Sequence, residues 1–218
     1  MKKLIEYLRH PSTEKTAGIK DIVVATIFYF VIPPAISILL FFLYDKLPVV
    51  SSPGEFRPSH FNALGLFATV ILEELAFRLP LKDRLALRIV SSLALSALLT
   101  RLFFASLCST VVACVAIIIL LAVLFYLLHA LLHKRLGFLA IFYLSAAVFG
   151  LLHLVKQDFN ALCFASILYG LFYCFDKFLG GVLLGYLRIQ VNIFVVIILH
   201  LIYDFAPFIL EHAIGTVL

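Results

Sequence analysis

The sequence predicts an all-α polytopic membrane protein, a single domain built as a transmembrane helical bundle of about seven spans. Three observations predict it. Of 218 residues, 64% are apolar and 13% charged, against about half and about a quarter in an ordinary soluble domain. Mean hydropathy is +1.16, more apolar surface than a water-soluble fold of this length buries. The apolar runs match the roughly 20 residues that cross the hydrocarbon core of a bilayer. They lack the ten-residue alternation of a membrane strand, so helices, which satisfy their own backbone, are expected rather than a barrel.

A basic segment, residues 1–20, comes first. Seven spans follow, at 21–44, 61–79, 85–104, 107–132, 138–154, 161–187 and 191–210. The first run is too long for a signal-peptide core and lacks a small-residue cleavage site, so it reads as a retained helix. Pro48, Ser51, Ser52, Pro53, Gly54 and Pro58 make the next connection a loop, and Gly137 marks the turn before the fifth span. Asp176 and Lys177 inside the sixth span mark a break or a re-entrant piece. No internal repeat or soluble domain is present. The organisation is therefore 1–20 basic segment, 21–60 first span and loop, 61–210 core, and 211–218 C-terminal tail.

Basic residues near helix ends stay on the cytoplasmic side. Lys2, Lys3, Arg9, Lys15, Lys20, Lys82, Arg84, Arg88, Lys134, Arg135 and Arg188 fall on one side of the seven-span topology, and Lys46, Arg57 and Lys156 on the other. This places the N-terminus inside and the C-terminus outside. The net charge of +5 is scattered among apolar spans rather than gathered on a face, so no nucleic-acid partner is expected and the partner surface is the lipid bilayer. Cys108, Cys114, Cys163 and Cys174 lie in apolar stretches without a CxxC pair. They read as packing residues, not as disulfides or thiol zinc ligands.

Against this background, ionisable groups inside the spans stand out. Glu73, Glu74 and Arg78 share the second span, and an intramembrane charge is expensive enough that its default reading is functional. Glu74 and Arg78 are four apart and share a helix face, whereas Glu73 points about 100° away. Arg78 can thus neutralise Glu74 and leave Glu73 as the acting carboxylate. The alternative is that both acids sit solvated at the headgroup boundary beside Arg78, Lys82 or Arg84. His153 ends the fifth span; His200 lies inside the last, with Asp204 one turn on. A lone histidine in an apolar helix is usually a packing residue. Two histidines with a Glu pair elsewhere favour a shared site, because each polar group needs partners.

The remaining polar residues carry less. His129 and His133 have metal-like spacing but no third ligand and read as interfacial; His10, His60 and His212 lie outside the spans. Arg101 is expected either to pair with Asp176 or to snorkel to the surface. Gly180, Gly181 and Gly185 form a small-residue stripe, expected to hold the last two spans together and so position His200.

The ordered set Glu73-Glu74-x-x-x-Arg78, Phe149-x-x-x-His153 and His200-x-x-x-Asp204 resembles the CPBP family of intramembrane proteases, the CAAX-protease and bacteriocin-processing or Abi family. The text around it agrees, from Leu144 to Leu154 and from Phe178 to Leu187. The resemblance covers residues 61–207. It implies an endopeptidase of a bacterial cytoplasmic (inner) membrane in which Glu73 and His153 activate a water while His200 and Asp204 stabilise the oxyanion, with Glu74, Arg78 and Phe149 in support. Its substrate would be a peptide or protein at the membrane, such as a CAAX-like or bacteriocin leader peptide. Two features depart from the family pattern. Asp204 stands where the prenyl-protein proteases carry Asn, and an ionised Asp would repel an oxyanion, so it must be protonated or orient His200. The interval from Arg78 to Phe149 is longer by about one helical hairpin.

No cofactor is favoured; a zinc version would use Glu73, His153 and His200 as ligands. A reading from another class is a non-catalytic immunity or partner-binding protein, or a proton-coupled carrier, since buried carboxylate and histidine chains also relay protons. Straight spans also pose a problem of depth. Glu73 lies roughly 10 Å from the inner end of its helix and His153 more than about 20 Å from the inner end of its own. They meet only if the fifth helix starts outside the hydrocarbon or bends at Gly150.

Overall fold

A computed structural model describes residues 2–46, 50–52, 63–82, 84–104, 110–156, 158–159 and 164–215. Among these the chain is helical, apart from one short strand pair. The helices are α1 (Lys2–Arg9), α2 (Ile19–Lys46), α3 (Ala63–Arg78), α4 (Leu85–Phe103), α5 (Val111–Arg135), α6 (Phe138–Leu152), α7 (Phe164–Gln190) and α8 (Ile193–Gly215). The strand pair is β1 (Val50–Ser52) antiparallel to β2 (Asp158–Phe159), with Val50 opposite Phe159. The predicted loop positions Pro48, Pro53, Gly54 and Pro58, along with Cys108 and Cys163, lie outside the described residues.

Four stretches are long and apolar enough to cross a membrane: Ile19–Leu40, Leu85–Phe103, Val111–Arg135 and Ser166–Gln190. Phe138–Leu152 and Ile193–Ala206 are apolar but shorter. α3 has 16 residues, about 24 Å of helix at 1.5 Å per residue, with Glu73, Glu74 and Arg78 in its last two turns. α5 turns large apolar side chains outward along its length, Val111, Leu120 and Leu127 among them, and buries only Ala122. Such a surface suits lipid, not water.

Local chemistry fixes several helix ends. Thr110 caps α5 by accepting from the Ala113 amide (3.1 Å), and Asn192 caps α8 by accepting from Val195 (2.9 Å). At the end of α7 the Gln190 side chain accepts from the amides of Thr16 (2.9 Å) and Ala17 (3.0 Å) and donates to the Glu14 carbonyl (3.1 Å). That clamp fastens the chain before α2 to the bundle. The basic N-terminal segment contains α1, which the span reading left without structure. Its Leu4 and Tyr7 are buried, and Tyr7 meets the edges of Phe142 (5.9 Å) and Tyr186 (5.0 Å).

Three expectations are corrected. α7 is continuous through Asp176 and Lys177, where a break or re-entrant piece was expected. Lys177 Nζ stands 2.8 Å from Asp176 Oδ2 and Ser37 Oγ donates to the same oxygen at 3.1 Å, so the charges are neutralised without unwinding the helix. α8 extends to Gly215 and takes in most of the expected C-terminal tail. The glycine stripe does not bind α7 to α8. A Cβ on Gly181 would lie 3.3 Å from Ala146 and from Phe149, and one on Gly185 3.0 Å from Phe142, all on α6, while Gly180 faces Tyr29 and Pro33 of α2. The tightest approach is at Gly150 of α6, where a Cβ would stand 2.7 Å from the Cys174 carbonyl of α7. GxxxG spacing signals close packing but does not name the partner.

The core has two parts. The larger joins α1, α2, α6 and α7 through residues such as Leu4, Tyr29, Phe142, Tyr186 and Leu187, and the smaller joins α3, α4 and α6 through Ala76, Phe77, Ala94, Leu98 and Phe149. The polar residues of α3 and α8 lie beside the smaller one.

Candidate active site

α3 carries the acids into the bundle on a helix that is apolar up to Leu72, so Glu73 and Glu74 are buried by what surrounds them rather than by their own segment. Glu74 is fully buried, and Glu73, Arg78 and His200 nearly so. Glu74 Oε1 lies 2.8 Å from His200 Nδ1 on α8. A carboxylate can only accept, so Nδ1 carries the hydrogen. The other oxygen, Oε2, stands 3.4 Å from Arg78 Nε. The i, i+4 pair expected from the spacing is present, but it uses one face of the carboxylate; the second face holds His200. No sequence signal links positions 74 and 200.

With Nδ1 committed, His200 Nε2 points toward Glu73 Oε2 (4.0 Å) and Asp204 Oδ2 (3.6 Å). Neither separation is a hydrogen bond. Asp204 is partly exposed, and Glu74 rather than Asp204 makes the short contact that orients the ring.

On α6, His153 follows the last helical residue, and its Nδ1 lies 2.8 Å from the Phe149 carbonyl. A carbonyl can only accept, so Nδ1–H donates and Nε2 of the neutral ring bears the lone pair. Phe149 stands at the centre of the group. The Arg78 guanidinium lies 4.8 Å above its ring, His153 meets its edge at 4.7 Å and His200 at 6.1 Å.

Glu73 and His153 line one small cavity with Phe77, Leu98, Leu102, Phe149 and Leu152; it offers ≈ 10 Å³ to the centre of a water, room for about one molecule. Leu98 and Leu102 come from α4, whose part in the site the sequence reading missed. α4 also fixes α3, since Ser91 Oγ donates to the Ala76 carbonyl at 2.8 Å.

The expected mismatch in depth is removed by register. The 3₁₀ turn Leu79–Leu81 continues α3 past Arg78, and Leu81 packs in the same cluster as Phe142. Phe77 accepts from Ser145 Oγ at 2.6 Å and packs on Phe149 at 5.5 Å. Antiparallel progression then brings Glu73 level with Leu152 and His153. The first turn of α6 therefore extends beyond the end of α3, instead of starting level with it as straight spans assumed.

Of the two expectations for Arg101, pairing with Asp176 is corrected, while its side chain is exposed, in line with the other. Its Nη1 donates to Thr69 Oγ1 (2.6 Å) and toward the Gly65 carbonyl (3.4 Å) of α3, not to Asp176. On α4 and α5, Ser92 Oγ lies 3.3 Å from His129 Nδ1, so that histidine is tied between helices. Among the described residues no three His, Cys, Asp or Glu side chains gather as a metal-ligand set.

No protein-family model, curated protein or solved structure matches the chain.

Proposed function

We propose that the protein is an intramembrane endopeptidase of the CPBP type, which hydrolyses a peptide bond with a water activated by Glu73 and His153. The observation that carries this reading is that both side chains line one water-sized cavity while His200 Nε2 stands 4.0 Å from Glu73. A single oxygen about 2.8 Å from each partner bridges that gap.

The water donates a proton to Glu73, with His153 Nε2 as second acceptor, and its oxygen forms a bond to the scissile carbonyl carbon. A proton on His200 Nε2 meets the resulting oxyanion, while Glu74 holds the ring from Nδ1. On collapse the C–N bond breaks and Glu73 returns the proton to the leaving amine. A positioned base contributes about 10²–10⁴-fold and one oxyanion donor about 10²–10³-fold. Asp204 lies beside Nε2 and stabilises the protonated ring. The substrate class is a peptide in or at the bilayer, CAAX-like or of the bacteriocin-leader type. The chain crosses the membrane seven times with its N-terminus inside. The convergence of Lys15, Lys82, Arg84 and Arg188 at one end of the bundle supports that orientation.

The test compares membranes of bacterial cells expressing the wild type, Glu73→Gln, His153→Ala or His200→Ala, each shown to be inserted and folded, by mass spectrometry of new peptide termini. Termini that appear only with the wild type are expected. A biological effect that persists in full with Glu73→Gln points to a non-catalytic membrane protein or carrier, and termini that persist with it overturn Glu73 as the base. Loss of cleavage on chelation would favour a zinc version held by Glu73, His153 and His200 over the metal-free one.

A further inference from the structure

A group of cations outside the candidate active site lies at the opposite end of α7 from β2. Arg188, in the last turn of α7, is 94% buried (6% exposed), and its Nε has no hydrogen-bond partner. No described carboxylate pairs with it. Burying a guanidinium nitrogen without a partner is costly, and an anion at Nε would offset that cost.

Other cations converge on it. Lys15 Nζ donates to the Val191 carbonyl at 3.0 Å, one turn from Arg188, and the Gln190 clamp holds residues 14–17 in place. Leu81 packs against Gly185, which brings the next residue, Lys82, to the same end, and the Arg84 amide donates to the Lys82 carbonyl at 2.8 Å. Burial, together with the charges of Arg188, Lys15 and Arg84, pushes the half-buried Lys82 ammonium below its ordinary range. The acids nearby are engaged elsewhere or lie outside this group: Asp21 is within electrostatic reach of Lys3, Glu14 offers only its backbone carbonyl to Gln190, and Asp83 is outside the described residues. The carbonyl end of α7 favours cations, and Lys15 meets the Val191 carbonyl just past it. That end does not require four.

We infer that Arg188, Lys82, Lys15 and Arg84 form a binding site for a phosphate group, the headgroup of an anionic phospholipid or free phosphate. The planar guanidinium offers two parallel donors to phosphate oxygens and the lysines supply point charge. Basic pockets between membrane helices hold phospholipid headgroups in this way. The adjoining apolar surface of α2, with Ile19 and Val23 exposed, offers acyl chains a wall.

The test uses the full chain purified in zwitterionic detergent and measures binding of phosphatidylglycerol and phosphatidylcholine by native mass spectrometry. Inorganic phosphate is added as competitor at constant ionic strength. Phosphatidylglycerol is expected to bind at least about tenfold more tightly than phosphatidylcholine, a preference that falls about tenfold in Arg188→Gln and in Lys82→Gln and survives in Lys134→Gln. Competition by phosphate identifies the phosphate group alone as ligand, and its failure to compete identifies the lipid; either supports the site. Equal binding of the two lipids, an undiminished preference in Lys82→Gln, or an equal loss in Lys134→Gln overturns it. Lys82 is half-buried in a turn, so its variant decides the matter even where Arg188→Gln does not fold.

Discussion

Glu74 Oε1 of α3 and His200 Nδ1 of α8 lie 2.8 Å apart, 126 positions distant in sequence and both sealed from solvent. This contact divides two adjacent carboxylates into separate tasks. Glu74 faces α8 and Arg78; Glu73, about 100° around the helix, faces the cavity that it shares with His153. The side chain that orients the His200 ring is thus a neighbour of the proposed base, not the base itself.

Removing one partner of a buried charge pair strands the other. Glu74→Ala and Arg78→Met are each expected to destabilise the protein by about 3–5 kcal/mol. The double variant should lose clearly less than the sum, because the pair is coupled. Unfolding midpoints in detergent check this. Glu74→Gln keeps an acceptor for Nδ1–H but not its charge, so in a peptide-cleavage assay kcat should fall while KM stays close to wild type. An additive double variant would contradict the pairing.

The approach of α6 to α7 is tightest at Gly150, where an added Cβ meets the Cys174 carbonyl at 2.7 Å. Because that clash is with backbone, Gly150→Ala must push α6 away and carry Phe149 and His153 with it. A stability loss of about 1–3 kcal/mol and a loss of peptide cleavage of at least about tenfold are expected, since small misplacements of reacting groups are costly. Gly137→Ala is the control, because nothing lies within 4 Å of its added Cβ, and thermal scans of the two variants in parallel should separate them.

Asp176 and Lys177 are expected to behave as a buried pair rather than as a helix break. Asp176→Leu alone leaves the Lys177 ammonium among Tyr173 and Tyr203 without its counter-charge, at a cost of about 3–5 kcal/mol. The double change Asp176→Leu with Lys177→Leu should recover most of that loss. Equal midpoints for the single and double variants would show that the 2.8 Å contact does not couple them.

The apolar helices were legible because hydropathy reports directly on the solvent a segment meets, and Glu73, His153 and His200 stood out because ionisable groups in apolar segments are rare. Partner choice was not. Spacing linked Glu74 to Arg78 but could not show that a carboxylate has a second oxygen to give to His200. The pattern Gly181 and Gly185 announced close packing, yet whether α6 or α8 supplied the facing surface depended on the tertiary arrangement. The depth of Glu73 relative to His153 was misjudged for a related reason. Counting 1.5 Å per residue assumes that neighbouring helices start level, whereas the turn Leu79–Leu81 and the contact of Ser145 with Phe77 set α3 and α6 in a shifted register. Arg101 likewise found Thr69 on the neighbouring helix, a pairing that neither charge pattern nor periodicity encodes.

The central claim is that Glu73 acts on a water in the cavity it shares with His153. The most direct measurement is peptide hydrolysis by purified protein in liposomes, with a mixed library of membrane peptides, for the wild type and Glu73→Gln at matched folded fraction. Cleavage by the wild type, with its rate reduced at least about 10²-fold in Glu73→Gln, is the predicted result. Equal cleavage by the two proteins, or no cleavage of any peptide by the wild type, would contradict it.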